Sequence, residues 1–207
     1  MAVLARDRAR GHPMSKEKSV PEADGRRLRS ERSRQAIVDA MLELVVEGNL
    51  VPSAQQVAER AGVGIRSVFR HFSDMESLFA AADAQGRQDY EALFVGGDRQ
   101  GTLDERILHA VERHADAYEA LRYIILSTHA QLWRYEVLRR NYARYQRGLR
   151  KDLDDWLPEL KSLSRLRREA VDAVASFEMW HRLREHQGLG KKNSIEIVVE
   201  MLKELIV

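Results

Sequence analysis

The sequence predicts an all-α protein in which a small three-helix unit precedes a larger helical region, and three observations support this. Apolar residues recur at the helical period through most of the chain, as expected for helices that bury one face. Strict alternation of apolar and polar residues and Asn-Gly turns, which indicate strands and hairpins, are absent from the sequence. Two short helical patterns flank the glycine-bearing segment 62–64, which predicts a helix-turn-helix.

The composition is ordinary for a globular protein with a sizeable core. The chain has 207 residues, of which 44% are hydrophobic and 32% are charged. It has no cysteine, which excludes disulfides, thiolate metal sites and cysteine nucleophiles. No apolar run approaches the about 20 residues of a membrane helix, and the N-terminal region lacks the apolar core of a secretory signal. We therefore expect a cytoplasmic protein with no membrane partner.

The first 29 residues are predicted to be a basic, disordered extension, because they show few large apolar residues and no sustained period. Residues 1–34 carry ten lysines and arginines against five acidic residues, a net charge of +5. Such a segment attracts phosphates, and salt weakens the attraction. It is either a solvated extension or an arm that enters a DNA minor groove.

The folded part is predicted to begin with a helix over residues 30–47, which leads into a helix-turn-helix at 53–72. Ser53 can cap the first helix of this pair, and Gln56 three positions later completes a capping box. Gly62 stands where the turn needs a left-handed residue, and Gly64 can cap the second helix.

This second helix, over residues 65–72, places Val68 and Phe72 inward at an i, i+4 spacing. Its other faces carry arginine, serine, phenylalanine and histidine side chains, which suit a DNA major groove. The arginines can reach either guanine edges or phosphates. An arginine of the helix over residues 30–47 and the capping serine are also expected to contact DNA. The full set of expected contacts is Arg34, Ser53, Arg66, Ser67, Phe69, Arg70 and His71.

The segment AERAGVGIRSVFRHFSDMESLFAAA resembles the DNA-binding end of the TetR family of bacterial regulators, and the resemblance covers residues 30–84. Two positions depart from the family pattern. Phe69 stands where a tyrosine is usual, and Met75 where a phosphate-binding lysine is frequent. The resemblance implies a homodimer that binds a palindromic operator in double-stranded DNA and responds to a small-molecule effector.

The helical period predicts the remaining elements. After Ser73, which can form a capping box with Glu76, a linking helix runs past Tyr90 to a glycine loop. Further helical segments are predicted from Leu103, over an apolar stretch at 121–135, over 136–156, over 164–186, and from Asn193, which caps the last helix with Glu196 at its third position.

The middle of the chain is rich in aromatic and polar side chains of the kind that line cavities between helices. Each of them singly is more often a core residue than a ligand contact. The family resemblance nevertheless implies that a small apolar or amphipathic molecule binds in this region. The candidates are Tyr123, Ser127, His129, Trp133, Tyr142, Phe177, Trp180 and His181.

The last helix carries apolar residues on more than one face, which predicts contact with both the protein body and a partner subunit. The resemblance implies a four-helix interface with two helices from each subunit. The alternative is a monomer with an apolar tail helix. The candidate interface residues are Val174, Phe177, Val198, Met201, Leu202 and Leu205.

No catalytic or metal-binding motif is present: the seven histidines form no HExxH pattern, and GxSxG and P-loop motifs are absent. We therefore expect no enzymatic activity, no metal and no cofactor.

Together these observations predict a dimeric transcriptional repressor that a small molecule releases from its operator. We divide it into the extension 1–29, a DNA-binding domain at 30–74 and a ligand-binding and dimerisation domain at 75–207. Two alternatives remain open: a DNA-binding regulator without a small-molecule ligand, and a helical adaptor for proteins that never binds DNA.

Overall fold

The computed structural model describes residues 21–207, and within this range it contains nine α-helices and no strand. The all-α prediction is confirmed. The helices are α1 (Pro21–Val46), α2 (Ala54–Arg60), α3 (Ile65–His71), α4 (Met75–Ala92), α5 (Leu103–Gln131), α6 (Glu136–Trp156), α7 (Arg165–Val174), α8 (Phe177–His181) and α9 (Lys191–Ile206). A 3-10 turn (Pro158–Ser162) follows α6, and a π-helical turn (Arg182–His186) follows α8.

Helix α1 begins at Pro21, well before the predicted start at residue 30, so the second part of the expected extension is helical. Proline is favoured at the first helical position, and the arginines that follow are good helix formers. Residues 26–32 are exposed, so this part of α1 has no buried stripe for a periodicity argument to detect. The rest of the predicted disordered extension, residues 1–20, lies outside the described residues.

Helices α1 to α3 pack around one apolar core, which α4 completes. Ile37 and Met41 from α1, Val57 from α2 and Val68 from α3 are all buried there, together with Phe72. Burying each such side chain contributes about 1.5–3 kcal/mol. The short helices α2 and α3 therefore depend on this shared core, because isolated helices of two turns are unstable in water.

Helix α4 does not begin with the predicted Ser73–Glu76 capping box. Its cap is Asp74, whose carboxylate accepts a hydrogen bond from the Ser77 backbone N–H at 2.7 Å, while Ser77 Oγ accepts one from the Asp74 N–H at 3.3 Å. Glu76 instead accepts a hydrogen bond from the Val137 N–H, at the start of α6, at 2.7 Å. The segment can form either of two overlapping capping boxes, and the packing of α4 against α6 selects one of them.

The central helix is α5, whose 29 residues join the two segments that the sequence pattern left separate. It packs against α1, α6 and α9. Helix α6 has the bounds that its periodicity predicted. Trp133 lies in the turn between the two helices and is 79% exposed, although the sequence pattern had placed it in a buried stretch.

The predicted long helix over residues 164–186 is interrupted after Val174. Ser176 starts a new helix there, because its Oγ accepts a hydrogen bond from the Met179 N–H at 3.2 Å. Helix α9 begins at Lys191 after Gly190, so Asn193 is not its cap. A serine such as Ser176 that caps a new helix competes with continuation of the preceding helix, and the spacing of the apolar residues does not reveal this competition.

A second core joins α5, α6, α7 and α9 through buried residues such as Ile107, Trp156, Val171 and Leu202. It gives the C-terminal part of the chain its own packed interior, separate from the α1–α3 core. Among the described helices, none carries an apolar stretch long enough to cross a membrane.

Candidate nucleic-acid interface and ligand cavity

The turn between α2 and α3 has the geometry that its residues predicted. Ser53 and Gln56 form the capping box at the start of α2, and Gly62 has a φ of 65°, in the left-handed region. Gly64 is the residue before α3 and has extended backbone angles. Glycine at residue 62 reaches this backbone conformation without the strain that a Cβ atom would cause.

The outward face of α3 carries two arginines that form no ion pair with the described residues, together with an exposed phenylalanine. Arg66 and Arg70 are exposed, and neither forms a salt bridge with any residue of the described range. Phe69 lies on the same surface and is 48% exposed. The two guanidinium groups are therefore available to an external anion, and the phenyl ring is available for apolar contact.

Arg60, at the end of α2, shows the contrasting case. Its guanidinium donates two hydrogen bonds to the Glu47 carboxylate, at 2.8 and 2.6 Å, and lies 3.4 Å from Glu43. These contacts lower the pKa of Glu47 and attach α2 to the end of α1. Arg60 therefore stabilises the small domain, whereas Arg66 and Arg70 are free.

His71 is a weaker contact candidate than the sequence indicated. Its side chain is mostly buried, and Nε2 has no hydrogen-bond partner among the described residues. Burial and the positive charges of Arg70 and Arg34 lower the pKa of His71. The imidazole is therefore neutral at pH 7 and packs at the end of α3 instead of offering a charge to phosphate.

The other side chains that were predicted to contact DNA differ in how accessible they are. Arg34 is exposed on α1 and lies over the Phe72 ring, 4.9 Å from its centroid. Ser67 is partly buried, and the hydroxyl of Ser53 is engaged in the α2 cap. The α4 N-terminus is a poor phosphate site, because the Asp74 carboxylate occupies it.

A cavity of about 590 Å³ lies between α1, α4, α5 and α6, with Phe177 of α8 at one side. Three of the predicted ligand residues line it, namely Ser127, Tyr142 and Phe177. This volume is within the range of about 300–1,000 Å³ for small-molecule sites. The described residues contain no cluster of three or more metal-ligating side chains.

The remaining predicted ligand residues do not line this cavity. Trp133 is exposed in the α5–α6 turn, and Tyr123 is 40% exposed beside Arg122. Trp180 donates a hydrogen bond to Glu119 at 3.2 Å and belongs to the packed core. His129 and His181 contact the Phe177 ring from outside the cavity. The helical spacing of these residues does not show which of them face the cavity and which face the core or the solvent.

The cavity has a polar cluster that sequence reasoning missed, formed by Asp83, Arg87, Asn141, Arg144 and Tyr145. The Asp83 carboxylate accepts hydrogen bonds from Arg87 at 2.9 Å, from Arg144 at 3.0 and 3.2 Å, and from Tyr145 at 2.7 Å. Burial opposes the charged form of Asp83, but these donors outweigh it and lower its pKa. Only the Asp83–Arg87 pair, at an i, i+4 spacing, had a sequence signal.

Two hydrogen bonds connect the cavity helix α5 with the helix-turn-helix unit. Ser127 Oγ and Gln131 Nε2, both buried on α5, donate to the carbonyl oxygen of Leu50 at 2.8 and 3.1 Å. Leu50 belongs to the connection between α1 and α2. A separate hydrogen bond, from the Val137 N–H to Glu76, joins α4 to α6, which are two helices of the cavity wall. The α5 wall of the cavity is therefore in direct contact with the small domain.

The predicted dimer residues need correction, because most of them belong to the core of one chain. Exposed fractions are 7% for Val174, 3% for Phe177, 4% for Val198 and 0% for Leu202. These side chains fill the space between α5, α8 and α9 and are not accessible to a partner. Only Met201, at 37%, and the partly buried Leu205 reach the surface of α9.

Comparisons with known proteins agree with this architecture. Residues 37–82 match the family model of bacterial regulatory proteins of the tetR family. A transcriptional regulator of Rhodococcus sp. Rha1 has a similar structure, with a TM-score of 0.60 and 17% identity over 86% of this chain and 95% of that one. A tetR-family transcriptional regulator of Streptomyces coelicolor gives a TM-score of 0.61 and 19% identity over 84% of this chain and 79% of that one.

A comparison with curated protein sequences gave no match. The structural similarities support the fold, and the match to the family model covers α2, α3 and the residues that support them. Residues 37–82 therefore belong to a helix-turn-helix domain of the kind found in bacterial regulatory proteins of the tetR family, and the helical domain that follows completes a fold shared with the solved transcriptional regulators.

Proposed function

We propose that the protein is a dimeric repressor that binds a palindromic operator through α3 and leaves it when a small molecule occupies the cavity. The observation that carries the proposal is the unpaired arginine pair, Arg66 and Arg70, on the second helix of a helix-turn-helix. Arginine can donate two hydrogen bonds to guanine or neutralise a phosphate. The exposed arginines at the start of α1 add a salt-sensitive attraction to DNA.

The cavity supports a ligand-dependent step, because its wall is bonded to the DNA-binding unit through the Ser127–Leu50 hydrogen bond. A ligand can shift the equilibrium between two conformations only by binding one more tightly than the other. Repositioning of Ser127, which both lines the cavity and bonds to Leu50, provides such a difference.

Dimerisation uses the exposed side of α7 and α9. Leu166 is 82% exposed and Met201 is 37% exposed, and α7 packs beside α9 in one chain. Two subunits joined there would present two α3 helices to one operator, at a spacing of about 34 Å or a multiple of it. The proposed interface therefore uses Leu166 and Met201 in place of the predicted positions that are buried, namely Val174, Phe177, Val198 and Leu202.

We also propose a revised domain division. The DNA-binding domain begins with α1 at Pro21 and ends at residue 74, and the regulatory and dimerisation domain covers residues 75–207. The C-terminal core supports this division because it contains no residue of 21–74, while the first core also takes in residues of α4 and α6.

The test is a selection of binding sites from random duplex DNA by the full-length protein at physiological salt. We expect an enriched palindrome with half-sites about one helical turn apart. The enriched duplex then serves as the probe for compounds that release the protein. Binding that is only nonspecific and salt-sensitive would contradict the operator function.

A further inference from the structure

We infer that the cavity takes an uncharged, largely apolar molecule with an oxygen acceptor, such as an ester or ketone, and that Asn141 and Tyr90 recognise this oxygen. The inference rests on the proposed function in placing the effector in this cavity. It goes further by assigning the chemical class of the ligand and the side chains that select it.

The first argument is that the hydrogen-bonding capacity of most polar groups in the wall is already used. The Asp83 carboxylate accepts from Arg87, Arg144 and Tyr145. Tyr118 donates to the carbonyl of Ala175 at 2.8 Å. Ser127 donates to the Leu50 carbonyl, and Thr128 donates to the Ile124 carbonyl within α5. A ligand therefore meets a surface that is mostly apolar or internally satisfied.

The second argument is that Asn141 and Tyr90 each keep a neutral donor without a partner among the described residues, beside the charged Nε of Arg144, which is also unpartnered. Asn141 lines the cavity, and only 6% of its surface is exposed. The atom that meets Arg144, at 2.9 Å, is its amide oxygen, because a guanidinium group only donates. Its NH₂ group has no hydrogen-bond partner among the described residues. A ligand oxygen can therefore accept a bond from this group.

Tyr90 supplies the second donor. Its ring folds back over Gly86 on α4, where a Cβ atom would lie 2.3 Å from the phenol oxygen, so only glycine permits this position. The hydroxyl lines the cavity and forms no hydrogen bond within the part of the chain that the structure describes. Burial, with the charges of Asp83 and Asp89, raises the pKa of Tyr90 and keeps the phenol protonated.

The third argument concerns charge. A buried carboxylate is costly unless a cation pairs with it. Arg144 is the cation beside Asn141, and its terminal nitrogens already bond to Asp83 and Asn141. Arg99 is paired with Asp152 at 2.8 Å, and Lys151, which forms no ion pair with the described residues, is exposed to solvent and not buried in the wall. A neutral oxygen satisfies the two free donors without the desolvation cost of an anion.

The test compares three matched probes with the full-length protein: methyl decanoate, decanoate and decane, each followed by thermal shift and titration calorimetry. We expect the ester to bind most tightly. Decane lacks the acceptor and should bind about tenfold more weakly, and decanoate should be weaker by at least the same factor. Decanoate that binds as tightly as the ester would overturn the inference.

Two variants test the assigned residues. Asn141→Asp keeps the oxygen that Arg144 contacts and the side-chain volume, but removes both donor hydrogens, and should weaken ester binding about tenfold without changing decane binding. Tyr90→Phe removes the second donor and should also weaken ester binding. The matched control is Asn193→Asp, on the exposed surface of α9, which should leave ester binding unchanged.

Unchanged ester binding in the folded cavity variants would refute the role of these side chains. If none of the three probes binds, the ligand class is wrong. The DNA-binding function is judged separately by the site selection, which uses no ligand, so failure of one proposal is distinguishable from failure of the other.

Discussion

Three arginines within eleven residues of the helix-turn-helix have different partners and therefore different roles. Arg60 donates to Glu47 and lies near Glu43, so its charge is neutralised within the domain. Arg66 and Arg70 have no acidic neighbour that pairs with them in the described structure and remain exposed. Their charge is available to DNA because the surrounding side chains do not compete for it.

Replacing Arg70 with alanine should weaken operator binding by about 1–3 kcal/mol, because one direct contact to a base or phosphate is lost. Fluorescence anisotropy with the selected operator measures the change, and circular dichroism confirms that the variant is folded. The control is Arg147→Ala, which removes an exposed arginine from α6. Equal affinities of Arg70→Ala and the wild type would exclude this residue from the interface.

The Asp83 cluster predicts a pH-dependent contribution to stability. The folded state lowers the pKa of Asp83 below its usual value of 3.8, so the charged form stabilises folding above that value. This contribution is lost as the pH falls through the folded pKa. Asp83→Asn should therefore lower the free energy of unfolding at pH 7, and the difference from the wild type should shrink progressively below about pH 4.

Urea unfolding of both proteins at several pH values tests this, with Asp89→Asn as the control on an exposed face of α4. A difference between wild type and Asp83→Asn that stays constant from pH 7 to the acid range would contradict the assigned cause.

Among the helices, α5 has the role of a connecting element between the two cores. Ile107, near its start, belongs to the C-terminal core, and Ser127 and Gln131, near its end, hold the Leu50 carbonyl of the helix-turn-helix unit. A continuous helix transmits displacement better than two segments joined by a turn. The α5 wall of the cavity and the contact with the small domain are therefore parts of the same continuous helix.

The double variant Ser127→Ala with Gln131→Met should leave the Leu50 carbonyl without these donors and destabilise the protein by about 1–3 kcal/mol. Operator affinity should change as well, because the position of α2 relative to α5 is less restrained. Urea unfolding and anisotropy measure the two effects. Thr128→Val is the control, since its hydroxyl bonds to Ile124 within the same helix; if it changes operator affinity equally, the Leu50 contact has no special role.

At the scale of the whole molecule, the proposed function requires that two α3 helices are held together in one dimer. The most apolar side chains of α9 pack into one chain, and the exposed surface of α7 and α9 retains Leu166 and Met201. The proposed dimer therefore depends on fewer apolar residues than the sequence indicated, and its contact surface involves α7.

Replacing both Leu166 and Met201 with aspartate should convert the dimer to a folded monomer, because two charges would face their counterparts across a two-fold axis. Multi-angle light scattering measures the mass, and operator affinity should fall with it. Trp133→Asp is the control, as it removes another exposed apolar side chain far from α7 in sequence. A wild-type protein that is itself monomeric would reject this interface.

The sequence by itself determined the helical class, the helix-turn-helix and its turn, because capping serines, glycines of fixed spacing and apolar periodicity are local signals. It also located α6 and the free arginines of α3. Only the tertiary structure decided which of two capping boxes starts α4 and which aromatic residues face the cavity. Those outcomes depend on contacts such as Glu76 with Val137 and Asp83 with Arg144, whose partners are far apart in the chain and leave no local pattern.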